Sequence, residues 1–174
     1  MTERMAFLYT PEQKRKRDSS IWTIVQGVLA PLQFLVFLIS LSLVLRFLIT
    51  GNGYEIANYS ILIKTIFLLV IMITGSIWEK VVFGKYLFAE AFFWEDVFSM
   101  LVITLHLSYV YALFQHLLSP LNLMLLALAA YAAYLVNAIQ FIWKLRMARK
   151  QHESKENNSE DIRSSDIYAK GYAS

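Results

Sequence analysis

The chain contains no cysteine. Disulfides, thiolate metal sites and a cysteine nucleophile are therefore excluded. Charge is scarce as well: 17% of the 174 residues are charged, against 57% hydrophobic. A soluble domain of this length needs far more charge to cover its surface. The formal net charge is only +3, and the basic residues gather beside the apolar blocks. That pattern suits anionic lipid headgroups and speaks against a nucleic-acid partner. Three histidines are present. His106 and His116 stand ten residues apart and His152 lies near the C-terminus, so no pair has the spacing of a protein-bound zinc or di-iron site. There is no phosphate-cradling glycine loop, no Ser-His-Asp arrangement and no nucleotide fingerprint.

What is present is a set of four long apolar runs, at about 21–49, 57–78, 97–118 and 121–143. Each is long enough to cross a bilayer as a helix, the economical way to satisfy backbone groups in lipid. The fold expected is an all-α integral membrane protein with four transmembrane helices in residues 21–143. The first run exceeds a hydrocarbon core of roughly 30 Å, and Pro31 is its expected kink. At the N-terminus the charges follow a short apolar patch, the reverse of a secretory leader, so the chain is expected to stay in the membrane from its first span.

The flanking charges set a topology. Arg4, Lys14, Arg15, Lys16 and Arg17 precede the first span, and Lys144, Arg146, Arg149 and Lys150 follow the fourth. The middle connection carries Lys80 and Lys85, whereas TGNGYEIANYS and SPLN carry no lysine or arginine. Both termini and the middle connection are therefore expected in the cytoplasm. Residues 1–20 form an N-terminal interfacial segment. In it Thr10-Pro11-Glu12-Gln13 fits a capping box with proline at the first helical position, and KRKRD is expected to run on as helix into the first span. Residues 144–174 read as a basic stretch and then, from Gln151, a disordered tail without apolar period.

Polar residues inside spans are costly and tend to face the bundle or a wet cavity. Gln26, Gln33 and Ser40 recur every seven residues; Tyr131, Tyr134, Asn137, Gln140 and Lys144 climb one face of the fourth span; Glu95, Ser99, Val102, His106 and Tyr109 share a stripe of the third. Interhelical hydrogen bonding accounts for most of them. His106 is either a bonded structural residue or a neutral imidazole facing a ligand, as proton relay or axial metal ligand. Lys64 and Arg46 lie near the outer ends of their spans, where snorkelling to the interface explains them.

The segment WEKVVFGKYLFAEAFFWED, residues 78–96, holds four carboxylates, two lysines and seven aromatic rings. An interfacial loop with an aromatic belt explains Lys85 and Glu90. Glu79, Glu95 and Asp96 abut the spans, and each acidic group follows a tryptophan. A half-buried carboxyl beside rings has its charged form disfavoured and retains a proton, as a general acid must. The rings are equally suited to a flat apolar ligand or to acyl chains.

The stretches WTIVQGVLAPLQFLVF, WEKVVFG and FFWEDVFS, within a similarity from Leu8 to His106, resemble the 3-vinyl (also called 2-vinyl) bacteriochlorophyllide hydratases. The resemblance implies a hydro-lyase of bacteriochlorophyll biosynthesis that adds water across the 3-vinyl group of a chlorophyllide, giving a 3-(1-hydroxyethyl) group. It implies no redox cofactor, magnesium carried by the substrate, and a bacterial cytoplasmic membrane with lipid and other pigment-biosynthesis enzymes as neighbours. The chemistry gives the acids a task. Glu95 or Asp96 is expected to protonate the vinyl and Glu79 to act as base or water holder. Lys80 is expected to meet the propionate or to tune these carboxyls, and His106 to relay protons or ligate the substrate's magnesium. Trp78, Phe93 and Trp94 are expected to flank the macrocycle, with Gln26 and Gln33 as further binding groups. A non-catalytic pigment carrier is the alternative.

Overall fold

The computed structural model describes residues 8–171, with side chains for 8–147. Five helices account for nearly all of it: α1 (Pro11–Ser19), α2 (Ile21–Thr50), α3 (Tyr54–Phe83), α4 (Phe93–Phe114) and α5 (Pro120–Gly171). Four are long and apolar enough to cross a membrane: Ile21–Thr50, Tyr54–Phe83, Phe93–Phe114 and Pro120–Met147. They form an antiparallel bundle in which α2 packs on α3, α4 on α5, α2 on α5 and α3 on α4.

Helix ends fall where local chemistry places them. Thr10 accepts from the Gln13 N–H at 3.2 Å while the Gln13 side chain accepts from the Thr10 N–H at 2.9 Å, the expected capping box. The basic run does not continue into the first span. Ser20 adopts an extended backbone between α1 and α2, and its hydroxyl caps α2 by accepting from the Trp22 N–H. Pro31 lies inside α2, which is unbroken. Gly51, at φ 71, ends α2 with its N–H on the Phe47 carbonyl, and Gly84, at φ 82, ends α3 in the same way on Lys80.

Two expected boundaries move. The segment 78–96 is mostly helix: WEKVVF completes α3 and FWED opens α4, leaving only 84–92 as connection. No glycine or proline stops α3 before Gly84. At the far end α5 continues as helix to Gly171, where a disordered tail was expected from Gln151. Residues 121–170 contain neither proline nor glycine, so nothing in the backbone ends the helix earlier.

The core joins all four spans. Phe37 and Val44 of α2 meet Ala57, Ile61 and Leu68 of α3, Val102 and Tyr109 of α4, and Leu123, Ala127, Ala130, Tyr131 and Tyr134 of α5. The alanines of α5 let backbones approach closely, as association in lipid requires. Outward faces carry exposed Ile24, Leu35, Ile63, Ile66, Leu107 and Ile139, a surface suited to acyl chains.

Phe37 is buried and contacts the rings of Tyr131 and Tyr134 at 5.5 and 4.9 Å. Phe37→Ala is expected to cost about 3–5 kcal/mol, whereas Ile63→Ala on the lipid face stays within about 1 kcal/mol. Reversible unfolding in mixed micelles measures both.

Candidate active site

Because α3 runs through Phe83 and α4 begins at Phe93, Glu79 and the pair Glu95-Asp96 face one another across the two helices at one end of the bundle. All three are buried. The Glu79 and Asp96 carboxyls are within hydrogen-bonding reach of each other. Two carboxyl oxygens hydrogen-bond only when one of them carries a proton, so this placement suits a pair that shares one. The connection above them supplies a backbone donor: the Phe88 N–H donates to Asp96 Oδ2 at 2.6 Å. Phe88 takes φ 58 to do this, a conformation uncommon for a bulky residue. Glu79 Oε2 has no protein partner.

Glu95 is held differently. Lys144 of α5 donates to Glu95 Oε2 at 2.5 Å, forming an ion pair with little exposure on the carboxylate side. The ammonium also lies 5.0 Å from the Phe92 ring centroid. Phe92 is the hub of an inner aromatic cluster. Phe141 stacks on it at 5.8 Å, Trp78 and Phe83 meet it edge-on at 5.7 and 5.8 Å, and Tyr9 covers Phe83 at 5.7 Å. Burial pushes the Tyr9 hydroxyl above its ordinary range, an effect the nearby Arg17 guanidinium opposes.

The other expected residues divide. Trp78 belongs to the inner cluster and donates from Nε1 to Thr23 at 2.9 Å. Phe93 and Trp94 point outward, Trp94 being 66% exposed. With Tyr86 and Phe88 they make an exposed aromatic surface beside the carboxyls, Phe93 lying 5.8 Å from Phe88 and 5.6 Å from Trp94. Lys80 is also exposed, bonding the Gly84 carbonyl and lying over Tyr86. Gln26 donates to Thr74 at 2.7 Å, and Gln33 is buried in the bundle with neither amide atom paired within the protein.

His106 is not part of the carboxyl cluster. It lies three turns along α4 from Glu95, with Nδ1 on the Val102 carbonyl at 2.8 Å and Nε2 facing Lys64 Nζ at 3.0 Å. Both ring nitrogens are engaged, so neither is free for a metal in this arrangement. Lys64 does not snorkel. It is 0% exposed, and its ammonium lies 4.2 Å from the Tyr134 ring centroid and 5.0 Å from that of Tyr131. Ala57, Ile61, Lys64 and Leu68 form one buried stripe of α3 at four- and three-residue spacing, and that stripe carries Lys64 into the core. Lys64 is thus buried where snorkelling was expected, whereas Lys144 lies on the polar face of the fourth span that its spacing indicated, partly buried. A groove of about 550 Å³ lies at the opposite end, between α4 and α5, lined by Leu107, Tyr111, Leu117 and Leu126. It holds none of this chemistry.

Fold and site together define a four-span helical membrane protein with a carboxyl pair buried at one end of the bundle beside an exposed aromatic surface. Comparison with known proteins gives this class a family. Residues 9–147 match the 2-vinyl bacteriochlorophyllide hydratase family. The chain is 62% identical over 150 residues to the 2-vinyl bacteriochlorophyllide hydratase of Rhodobacter capsulatus, covering 86% of each chain. It is 64% identical over 148 residues to that of Cereibacter sphaeroides, covering 84% of this chain and 91% of the relative. No solved structure matches it. The chain belongs to the 2-vinyl bacteriochlorophyllide hydratase family.

Lys144→Met leaves the buried Glu95 carboxylate without its counter-charge and is expected to cost about 2–3 kcal/mol. The Glu95→Gln/Lys144→Met double variant is expected within about 1 kcal/mol of wild type. A double-mutant cycle of unfolding in detergent separates this coupling from independent effects of the two changes.

Proposed function

We infer that this chain hydrates the vinyl group of a chlorophyllide-type tetrapyrrole to a 1-hydroxyethyl group in bacteriochlorophyll biosynthesis. The observation that carries the mechanism is the Glu79–Asp96 pair, buried at one end of the bundle under a connection whose outer side is aromatic. Phe88 joins the two surfaces: its ring belongs to the exposed row and its N–H holds Asp96. The macrocycle rests against Phe88, Phe93 and Trp94 from the bilayer, and only its vinyl group passes inward. Lys80, exposed at the same end, is available to the propionate.

The reaction divides between the paired carboxyls. One proton goes to the terminal vinyl carbon, and the positive charge falls on the inner carbon and spreads over the macrocycle. Water adds at the inner carbon and loses a proton to the second carboxyl. The pair gives one proton and takes one back, so its proton count is restored each turnover. Asp96 and Glu95 lie in the first turn of α4, whose positive end favours negative charge, and Asp96 also accepts the Phe88 N–H. Glu79 lies in the last two turns of α3, which offer no such support. These placements favour Glu79 as the proton donor and Asp96 as the base, where the sequence suggested Glu95 or Asp96 as donor. Glu95, fixed by Lys144, contributes a nearby anion that stabilises the cation. His106, with both nitrogens engaged and three turns away, takes no step.

The basic α1, Lys80, Lys85 and Lys144 all lie at the carboxyl end, while 51–53 and 115–119 carry no lysine or arginine. This supports a bacterial inner membrane with the site near the cytoplasmic face.

Membranes supplied with a 3-vinyl chlorophyllide test the reading by the gain of one water in pigment mass. Glu79→Gln and Asp96→Asn are each expected to slow hydration by at least about 100-fold. In deuterium oxide a single turnover is expected to leave one deuterium in the new methyl group. Normal rates in both folded variants sink the carboxyl mechanism. Pigment that co-purifies unchanged with wild-type protein under every condition favours a carrier instead.

A further inference from the structure

Most interior polar side chains find partners within the protein. Ser40 bonds Ser60 and Tyr131, Gln26 bonds Thr74, Tyr109 bonds Asn58, and Lys64 faces His106. The exceptions are confined to one part of the bundle. Among the described residues, apart from the Tyr9 hydroxyl in the aromatic cluster at the carboxyl end, these are both amide atoms of Gln33, Oδ1 of Asn137, Oε1 of Gln140 and Oε2 of Glu79, buried without a protein partner. Gln33, Glu79 and Asn137 are each more than nine-tenths buried.

Helix register places these atoms in sequence. Ser40 of α2 bonds Tyr131 of α5. Two turns back along α2 is Gln33, and nearly two turns forward along antiparallel α5 is Asn137, so the two side chains come to one level. Asn137 Nδ2 donates to Ser99 Oγ at 2.8 Å, which fixes the amide and leaves its oxygen turned elsewhere. Gln140 stands one turn further along α5, between Asn137 and the Lys144–Glu95 pair. Glu79 lies beyond it, at the carboxyl end. On the other side of Gln33 the column closes on the rings of Phe37, Tyr131 and Tyr134 around Lys64.

We propose that this column, from Gln33 through Asn137 and Gln140 to Glu79, is a water-binding chamber that holds the water consumed in hydration. The inference rests on the hydratase reading and deepens it. A bilayer supplies no water to a carboxyl buried under an apolar pigment, yet the reaction consumes one molecule each turnover. Gln33 presents a donor and an acceptor, and Asn137, Gln140 and Glu79 present acceptors. Water, which needs two to four polar partners to settle in an interior, satisfies all of them. The aromatic collar around Lys64 closes the chamber, so it is filled from the carboxyl end and does not cross the membrane.

Water-edited solid-state NMR of the full chain in bilayers, with ¹⁵N-labelled glutamine and asparagine, tests occupancy without reference to activity. Magnetisation is expected to pass from water to the Gln33 and Asn137 side-chain amides about as fast as to interfacial backbone amides. Transfer no faster than to the backbone of buried Ala57 overturns the proposal. Gln33→Leu, with Gln33→Met as a second variant of closer shape, is expected to slow hydration at least about tenfold with pigment binding retained. In a dry interior the same changes remove unpaired atoms and raise the unfolding midpoint with hydration unchanged, which also overturns it. Wet amides in a chain that never hydrates pigment leave the chamber standing and reject the hydratase reading alone.

Discussion

A bilayer offers a side chain no hydrogen bond, and that constraint orders this molecule. Apolar residues are free to face either lipid or core, so they carry little positional information. Polar residues have one acceptable direction. The ladder from Glu95–Lys144 through Ser99–Asn137 to Ser40–Tyr131 and Tyr109–Asn58 ties all four spans together. Each rung fixes which turn of one helix faces which turn of the next. Packing by Phe37, Ala127 and Ala130 then fills the space that the rungs define.

The same constraint explains how the carboxyls are held. A buried acid needs donors, and the 84–92 connection provides one from its backbone, the Phe88 N–H. Phe88 adopts a left-handed conformation, so its N–H turns inward onto Asp96 while its ring stays outside. Such strain is maintained only where surrounding structure over-determines it. Gly84 at φ 82, Ala89 buried below and Phe92 locked among Phe83, Trp78 and Phe141 supply that support. The aromatic residues of this segment thus divide by task. Inner rings brace the acids, and outer rings lie exposed at the surface.

Much of this was legible in the sequence because polar residues in apolar helices stand out against their background. The seven-residue seam of Gln26, Gln33 and Ser40 and the stripe from Glu95 to Tyr109 turn inward as their spacing requires. The acids were visible for the same reason, and resemblance supplied their substrate. Lys64 was misread because its position was judged by distance from the end of an apolar run. In α3 it lies ten residues inside Tyr54, about 15 Å by helical rise, and its stripe Ala57-Ile61-Lys64-Leu68 is hidden among equally apolar lipid-facing neighbours. The ion pair of Lys144 with Glu95 joins residues 49 apart, a pairing that depends on the α4–α5 register and not on local pattern. The extent of α3 beyond Trp78 was missed because charge suggested a loop, whereas the backbone holds no stop before Gly84.

Closure of the core limits what part of a large pigment the protein can read. Phe37, Tyr131, Tyr134 and Lys64 fill the middle of the bundle, and the groove between α4 and α5 lies at the wrong end for the acids. Under the proposed function, a macrocycle docked on Phe88, Phe93 and Trp94 would present its reacting substituent to the interior and leave its remaining edges in lipid or at the headgroups. Contacts that distinguish a vinyl from a bulkier substituent are set by the depth of the carboxyl pair. Contacts with the ring system are flat and apolar, and they discriminate weakly between ring-reduction states. On this reading selectivity belongs to the position of the vinyl group, and tolerance belongs to the rest of the macrocycle. On the same reading the aromatic surface that could not be told from a membrane belt in the sequence serves as both, its rings contacting acyl chains until a pigment replaces them.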